Sequence, residues 1–178
     1  MREIALLDKR FREFIHEDLI RERVTGIAED INRDLAGRDV IFISILNGAF
    51  IFSSDLFRLI SLKARISFVK ASSYAGTRST GNVKELIGLN EDISNKHIVI
   101  LDDIIDTGKT IETIMGKFKE KNPASVSVAA LLLKPEAFVS RIKISYTGFE
   151  IPNDFVVGYG LDYEGYGRNL TSIYKLIK

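Results

Sequence analysis

Short apolar runs rich in β-branched residues alternate along the chain with stretches whose apolar residues recur at helical spacing, and this alternation constrains the fold more than any other feature. From Glu17 to Leu35 the apolar positions Leu19, Ile20, Val24, Ile27, Ala28, Ile31 and Leu35 predict one long amphipathic helix, with Gly37 as its C-terminal cap. The run DVIFISIL (39–46) predicts a buried strand, NGAF (47–50) a turn, and Ile51 to Ile60 a second helix. ARISFVKASSYAG (64–76) alternates as a strand, and the Ser-, Thr- and Gly-rich stretch from Ser72 to Lys84 predicts a mobile loop. HIVILDD (97–103) predicts a strand, Gly108 to Glu120 a helix, SVSVAALLL (125–133) another buried strand and DFVVGYGLD (154–162) a short one. Strands alternating with helices imply an α/β fold with a parallel sheet and helices on both of its faces, and in such sheets ligands bind outside the carboxyl ends of the strands.

Composition narrows the function classes. A chain of 178 residues with 46% hydrophobic and 28% charged content is long enough to bury a sizeable core as one domain. Lys and Arg number 25 against 24 Asp and Glu, and the net charge of +1 gives no global electrostatic case for nucleic acid or an anionic membrane surface. An anion bound by this chain must be held locally. The absence of cysteine removes disulfides, thiol nucleophiles and thiolate metal sites, which fits a cytoplasmic protein. The first residues, MREIALLDKRFREF, lack the basic-then-apolar order of a signal peptide, and no apolar run approaches the ~20 residues of a membrane span.

The segment His97 to Ile114 runs from apolar alternation into Asp102, Asp103 and Asp106 and then into Thr-Gly-Lys-Thr. If the strand ends at the aspartates, Thr107 to Thr110 form the turn into the next helix, whose unpaired N–H groups and dipole suit a phosphate. A Walker A loop would need glycine where Asp103 stands, so that reading fails. Three carboxylates beside a phosphate need another job: sugar hydroxyls, a divalent cation, or a proton to be moved. The structural alternative makes Asp102 and Asp103 solvated strand-end residues, with Asp106 and Thr107 capping the helix.

The pattern of four apolar residues, two acidic, two apolar, then Asp-Thr-Gly-Lys-Thr resembles the phosphoribosyl pyrophosphate signature of the type I phosphoribosyltransferases, and Asp106 within it resembles the hypoxanthine-guanine branch. The likeness extends from roughly Val40 to Arg168. SILNGAF resembles the pyrophosphate loop, with Leu46, Asn47 and Gly48 as contacts. SSYAGTRSTGNVK resembles the flexible lid, with Ser73 and Tyr74 at its head and Arg78 within it. LLLK resembles the base-reading segment ending at Lys134. The stretch 148–170 resembles the purine pocket and closing segment, with Phe155 as stacking aromatic, Val156 offering backbone groups to the base edge, Asp162 as magnesium ligand and Arg168 as pyrophosphate contact. The loop departs from the frequent Leu-Lys-Gly-Gly, since Asn47 brings no positive charge; the backbone contact allowed by Gly48 survives.

The resemblance implies one domain over 1–178, with a hood built from the N-terminal segment and about 135–178, and a lid at about 72–84. It implies transfer of ribose 5-phosphate from phosphoribosyl pyrophosphate to N9 of a 6-oxopurine, with Mg2+. Asp102 and Asp103 would hold ribose hydroxyls and share the metal with Asp162, the turn Asp106, Thr107, Gly108, Lys109 and Thr110 would hold the 5-phosphate, and Asp106 would move the proton at N7. A homodimer or homotetramer is the usual assembly of the family. Two alternatives stay open: a regulator of this fold that senses phosphoribosyl pyrophosphate or nucleotide, and an enzyme for another base such as xanthine. Each site residue also has a plainer structural role to set against it: Lys134 as a lysine ending a strand, Phe155 as core, Asp162 with Arg168 as a surface ion pair. His16 and His97 sit in no catalytic or metal-ligand pattern and are expected to be structural.

Overall fold

The computed structural model describes residues 2–72, 85–87, 89 and 91–177. A β-hairpin that the periodicity did not single out comes first: β1 (Glu3–Leu6) and β2 (Lys9–Ile15) pair antiparallel, with Leu6 opposite Lys9. The long helix α1 (Glu17–Asp34) follows, its first turn capped by His16, whose Nδ1 accepts from the Asp18 amide at 3.3 Å. It ends before the expected cap: the Leu35 amide still donates to Ile31 O, and the left-handed Gly37 (φ 73°) turns the chain afterwards.

Then come β3 (Val40–Leu46), α2 (Phe50–Phe57), β4 (Ala64–Ser72), β5 (Glu85–Ile87), β6 (His97–Ile105), α3 (Lys109–Lys119), β7 (Ser125–Leu133), β8 (Tyr146–Glu150), β9 (Val156–Val157) and β10 (Ile173–Leu176). The large sheet has the order β5-β4-β3-β6-β7-β8, with all neighbours parallel except β5 on β4. A four-stranded antiparallel sheet, β1-β2-β10-β9, brings the two ends of the chain together as a separate layer. β8 joins the large sheet beside β7, and only the chain beyond it reaches the small sheet.

Continuous apolar strands are what a sheet covered on both faces requires. Along β3, Val40 and Phe42 pack with Ile20, Val24 and Ile31 of α1 and Phe52 and Leu56 of α2, while Ile41 and Ile43 pack with Ile111, Ile114 and Phe118 of α3. Truncating a fully buried ring such as Phe118 to alanine would cost about 3–5 kcal/mol, a large part of a typical domain's stability. The one buried hydroxyl pair between β3 and α2, Ser53 donating to Ser44 at 2.7 Å, satisfies itself.

The topology fixes where a ligand can sit. From β3 the chain crosses by α2 to β4 on one side; from β6 it crosses by α3, on the opposite face, to β7 on the other. The connections part between β3 and β6, so the crevice opens at their carboxyl ends, between Leu46–Ala49 and Asp102–Thr110.

Candidate active site

Strand β6 does not end at the aspartates. It runs on to Ile105, with Asp102 opposite Ala130 and Ile105 opposite Leu133, so Asp102 and Asp103 stand inside the sheet's carboxyl edge rather than in solvent. Asp102 is 8% exposed, and its Oδ1 accepts from the Asp103 amide at 3.2 Å. Burial, and then the like charge of Asp103, push its carboxyl well above the usual carboxylate range. Burial also raises Asp103, against the hydrogen bonds it shares with Asp102 and with backbone amides and, to a smaller extent, the charge of Arg168. The Asp103 carboxylate lies against Gly48, so a Cβ at this loop position would displace that side chain. The peptide between Leu46 and Asn47 in the same loop is cis.

The turn into α3 has no side-chain cap. Gly108 takes the N-cap position with φ 78° and Glu112 makes the first intrahelical bond back to Gly108 O at 2.9 Å. The amides before it point outward, with a 3.4 Å contact from the Lys109 amide to Thr107 Oγ1 as their side-chain partner. A Cβ at Gly108 would strike the Phe138 ring and Ser140, and the Val139 amide donates to Thr107 O at 3.2 Å, so the segment after β7 braces the turn. Lys109 and Thr110 are exposed beside it.

Asp106 is not a cap. Its carboxylate meets Lys134 Nζ at 3.3 Å, and the lysine side chain is only 10% exposed against 55% for the aspartate. Lys134 is therefore a buried cation at the strand end, not a solvated one, and its amide donates to Ile105 O at 3.0 Å. The Ile151 amide donates to Leu133 O at 2.9 Å, so the chain leaves β8 beside Lys134 and reaches Phe155 shortly after.

Phe155 is 45% exposed, which core packing does not explain. Its ring stands edge-on to Tyr163 at 6.0 Å and tilted to Phe11 at 6.3 Å, with Lys9 Nζ 4.2 Å from the Tyr163 centroid. Val156 is buried in β9, and the preceding carbonyl accepts from Leu176 at 2.9 Å. The hairpin residues Lys9 and Phe11, together with Tyr163, thus support the aromatic; periodicity within β2 shows only alternation, and nothing in that segment names its partner.

Asp162 and Arg168 form an ion pair at 2.6 Å, with Asp162 also accepting from the Gly165 amide and Arg168 donating to Gly160 O, each at 2.7 Å. Gly160, absent from the expected site, closes the crevice: a Cβ there would meet the carbonyl oxygen of Gly48, so the arm from Gly158 to Arg168 touches the loop after β3. Asp162 is not gathered with Asp102 and Asp103 into one cluster, and among the described residues no three Asp, Glu, His or Cys side chains stand where they could share an ion. Ser73, Tyr74 and Arg78 lie outside the described residues. Both histidines are structural, His16 as the α1 cap and His97 bonded through Nδ1 to Ser125 Oγ at 2.8 Å.

Known proteins resemble this chain along most of its length. The hypoxanthine phosphoribosyltransferase of Buchnera aphidicola subsp. Schizaphis graminum is 42% identical over 166 residues, covering 92% of this chain and 94% of its own. The hypoxanthine-guanine phosphoribosyltransferase of Streptococcus pneumoniae is 40% identical over 160 residues, 89% of each chain. The crystal structure of a hypoxanthine-guanine phosphoribosyltransferase from Bacillus anthracis matches with a TM-score of 0.85 at 33% identity, covering 93% of this chain and 97% of that one. The family described as phosphoribosyl transferase domain matches residues 14–164, from β2 through the phosphate turn to the arm that holds Asp162, and the chain belongs to that family.

Proposed function

We propose that this enzyme transfers the 5-phosphoribosyl group from phosphoribosyl pyrophosphate to N9 of hypoxanthine or guanine, giving IMP or GMP and pyrophosphate in purine salvage. The observation that supports this reading most is the Lys134–Asp106 pair beside an uncapped helix start: a donor and an acceptor set side by side next to a phosphate turn. A 6-oxopurine offers O6 to the one and the N7 proton to the other.

The residues divide the work by charge. The first-turn amides of α3 and Thr110 hold the 5-phosphate. As N9 bonds to the anomeric carbon, the bond to pyrophosphate breaks and its electron pair leaves with the pyrophosphate. Positive charge grows on the ribose above Asp102 and Asp103, negative charge grows beside Arg168 and the Gly48 amide, and Asp106 takes the proton from N7. Phe155 stacks on the base, and Lys134 fixes its orientation through O6.

The acidic set fits Mg2+ chemically. Its ligands are carboxylate oxygens, the charge of Asp103 bears on the buried Asp102, and Mg2+ takes one or two carboxylates together with substrate phosphates. Asp102 and Asp103 on one wall of the crevice, or Asp162, paired with Arg168, on the other, would hold it together with substrate phosphates rather than as one three-carboxylate site, and its charge would neutralise the pyrophosphate. The reading extends to a cytoplasmic homodimer or homotetramer; no helix among the described residues is long and apolar enough to cross a membrane.

Incubation with phosphoribosyl pyrophosphate, Mg2+ and hypoxanthine should release IMP and pyrophosphate in equal amounts, and chelation should abolish turnover. No nucleotide from either 6-oxopurine, or full turnover after exhaustive chelation, would contradict the scheme.

A further inference from the structure

A cavity of about 570 Å³ lies between α1, α2 and the segment 159–171, and none of Asp102 to Thr110, Lys134 or Phe155 lines it. Asp55 of α2 and Tyr159 both do. The Tyr159 hydroxyl donates to Asp55 Oδ2 at 2.7 Å, across 104 positions of sequence. Tyr159 is 7% exposed, and burial, followed by the hydrogen bond to Asp55 and then the Asp55 charge, raises its phenol further above the neutral range, so it remains a donor. Its backbone is left-handed at φ 50°, uncommon for a bulky residue, between Gly158 and Gly160 at φ 102° and 103°. A conformation of this kind persists where the surroundings over-determine it.

We propose that the Tyr159–Asp55 hydrogen bond is a positioning device that sets the gap between the loop after β3 and the arm bearing Asp162 and Arg168, an inference that rests on reading that gap as the pyrophosphate site. Asp55 belongs to the helix that begins directly after the loop. Gly160, next to Tyr159, lies against the Gly48 carbonyl, its amide donates to Arg168 O at 2.9 Å, and its own carbonyl accepts from the Arg168 guanidinium at 2.7 Å. The bond therefore joins the two walls from behind. Neither partner touches substrate in this scheme; both act through Gly48 and Arg168. A shift of about 1 Å in such walls is enough to cost up to 10²-fold in rate.

The test is steady-state kinetics on Tyr159→Phe, which keeps the ring and its packing and removes only the hydroxyl. The KM for phosphoribosyl pyrophosphate and the inhibition constant of pyrophosphate should rise about tenfold, with the KM for hypoxanthine within twofold of wild type and the Tm little changed. Asp55→Asn, which retains an acceptor oxygen, should stay near wild type. Asp55→Ala should match Tyr159→Phe, and the double variant should be no worse than either, since both remove one bond. Pyrophosphate-side constants within twofold of wild type in Tyr159→Phe would overturn the proposal, as would a parallel rise in both substrates' KM that tracks a lost Tm. Wild-type protein that makes no nucleotide from phosphoribosyl pyrophosphate would overturn the activity reading and this proposal with it, whereas an active wild type with indifferent variants would sink the positioning role alone.

Discussion

At the scale of single residues the site is built from charges placed where water would ordinarily hold them. Asp106 faces Lys134 rather than the helix start, so its carboxylate is free of a capping role and available to the base. Asp106→Asn should slow turnover by roughly two to four orders of magnitude with little change in the KM for phosphoribosyl pyrophosphate, the range for a lost general base. Steady-state rates decide it, and unchanged turnover would leave Asp106 as a partner of Lys134 only. Asp102 carries a cost to the fold. Unfolded, it titrates near the ordinary value of about 3.9; folded, burial and then Asp103 hold its proton to a higher pH. The folded state therefore binds more protons across that window, and stability falls as pH rises from the ordinary carboxylate range through the raised one. Asp102→Asn cannot ionise, so without divalent cations it should melt higher than wild type at pH 7 to 8, by roughly 2–4 °C for each kcal/mol recovered, with the gain shrinking toward pH 4 and activity lost. Calorimetric melts across pH check this; a lower Tm at neutral pH would contradict it.

At the scale of elements, what the sequence made legible and what it hid follow from range. Strands β3, β6 and β7 are continuous apolar runs because both of their faces are covered, and that pattern reads without any partner. The glycine turn between β6 and α3 was legible because its residues are contiguous. The β1–β2 hairpin and β10 were not, because their shared sheet joins distant ends of the chain, β1 and β10 are only four residues long, and β2 is interrupted by charge. Gly160 and the Tyr159–Asp55 bond were hidden for the same reason: their meaning depends on contacts with residues far back in the chain. Gly108 is the element-scale test of the turn. An alanine there would need a left-handed backbone and would drive its Cβ into Phe138 and Ser140. Gly108→Ala should lower the Tm by a few degrees, about 2–4 °C per kcal/mol, and raise the KM for phosphoribosyl pyrophosphate more than that for the base. A variant with wild-type melting and kinetics would show that the turn does not need this conformation.

At the scale of the whole molecule, two sheets made from distant parts of the chain meet at one crevice: the large sheet supplies Asp102, Asp103, Asp106, the phosphate turn and Lys134, and the chain around the small one supplies Phe155, Asp162 and Arg168. On the proposed function, this crevice reads position 6 of a purine through Lys134. A 6-oxo group gives the buried ammonium an acceptor on the base beside its Asp106 partner, whereas the amino group of adenine sets donor against donor there. A site built for that hydrogen bond can discriminate by about four to five orders of magnitude. The direct measurement is kcat/KM for hypoxanthine, guanine and adenine with wild type and Lys134→Met. Hypoxanthine or guanine should outrun adenine by at least ~10³-fold in the wild type, and the substitution should hurt the oxopurines most. Adenine within tenfold of the better oxopurine, or a variant that loses all three bases equally, would contradict the assignment.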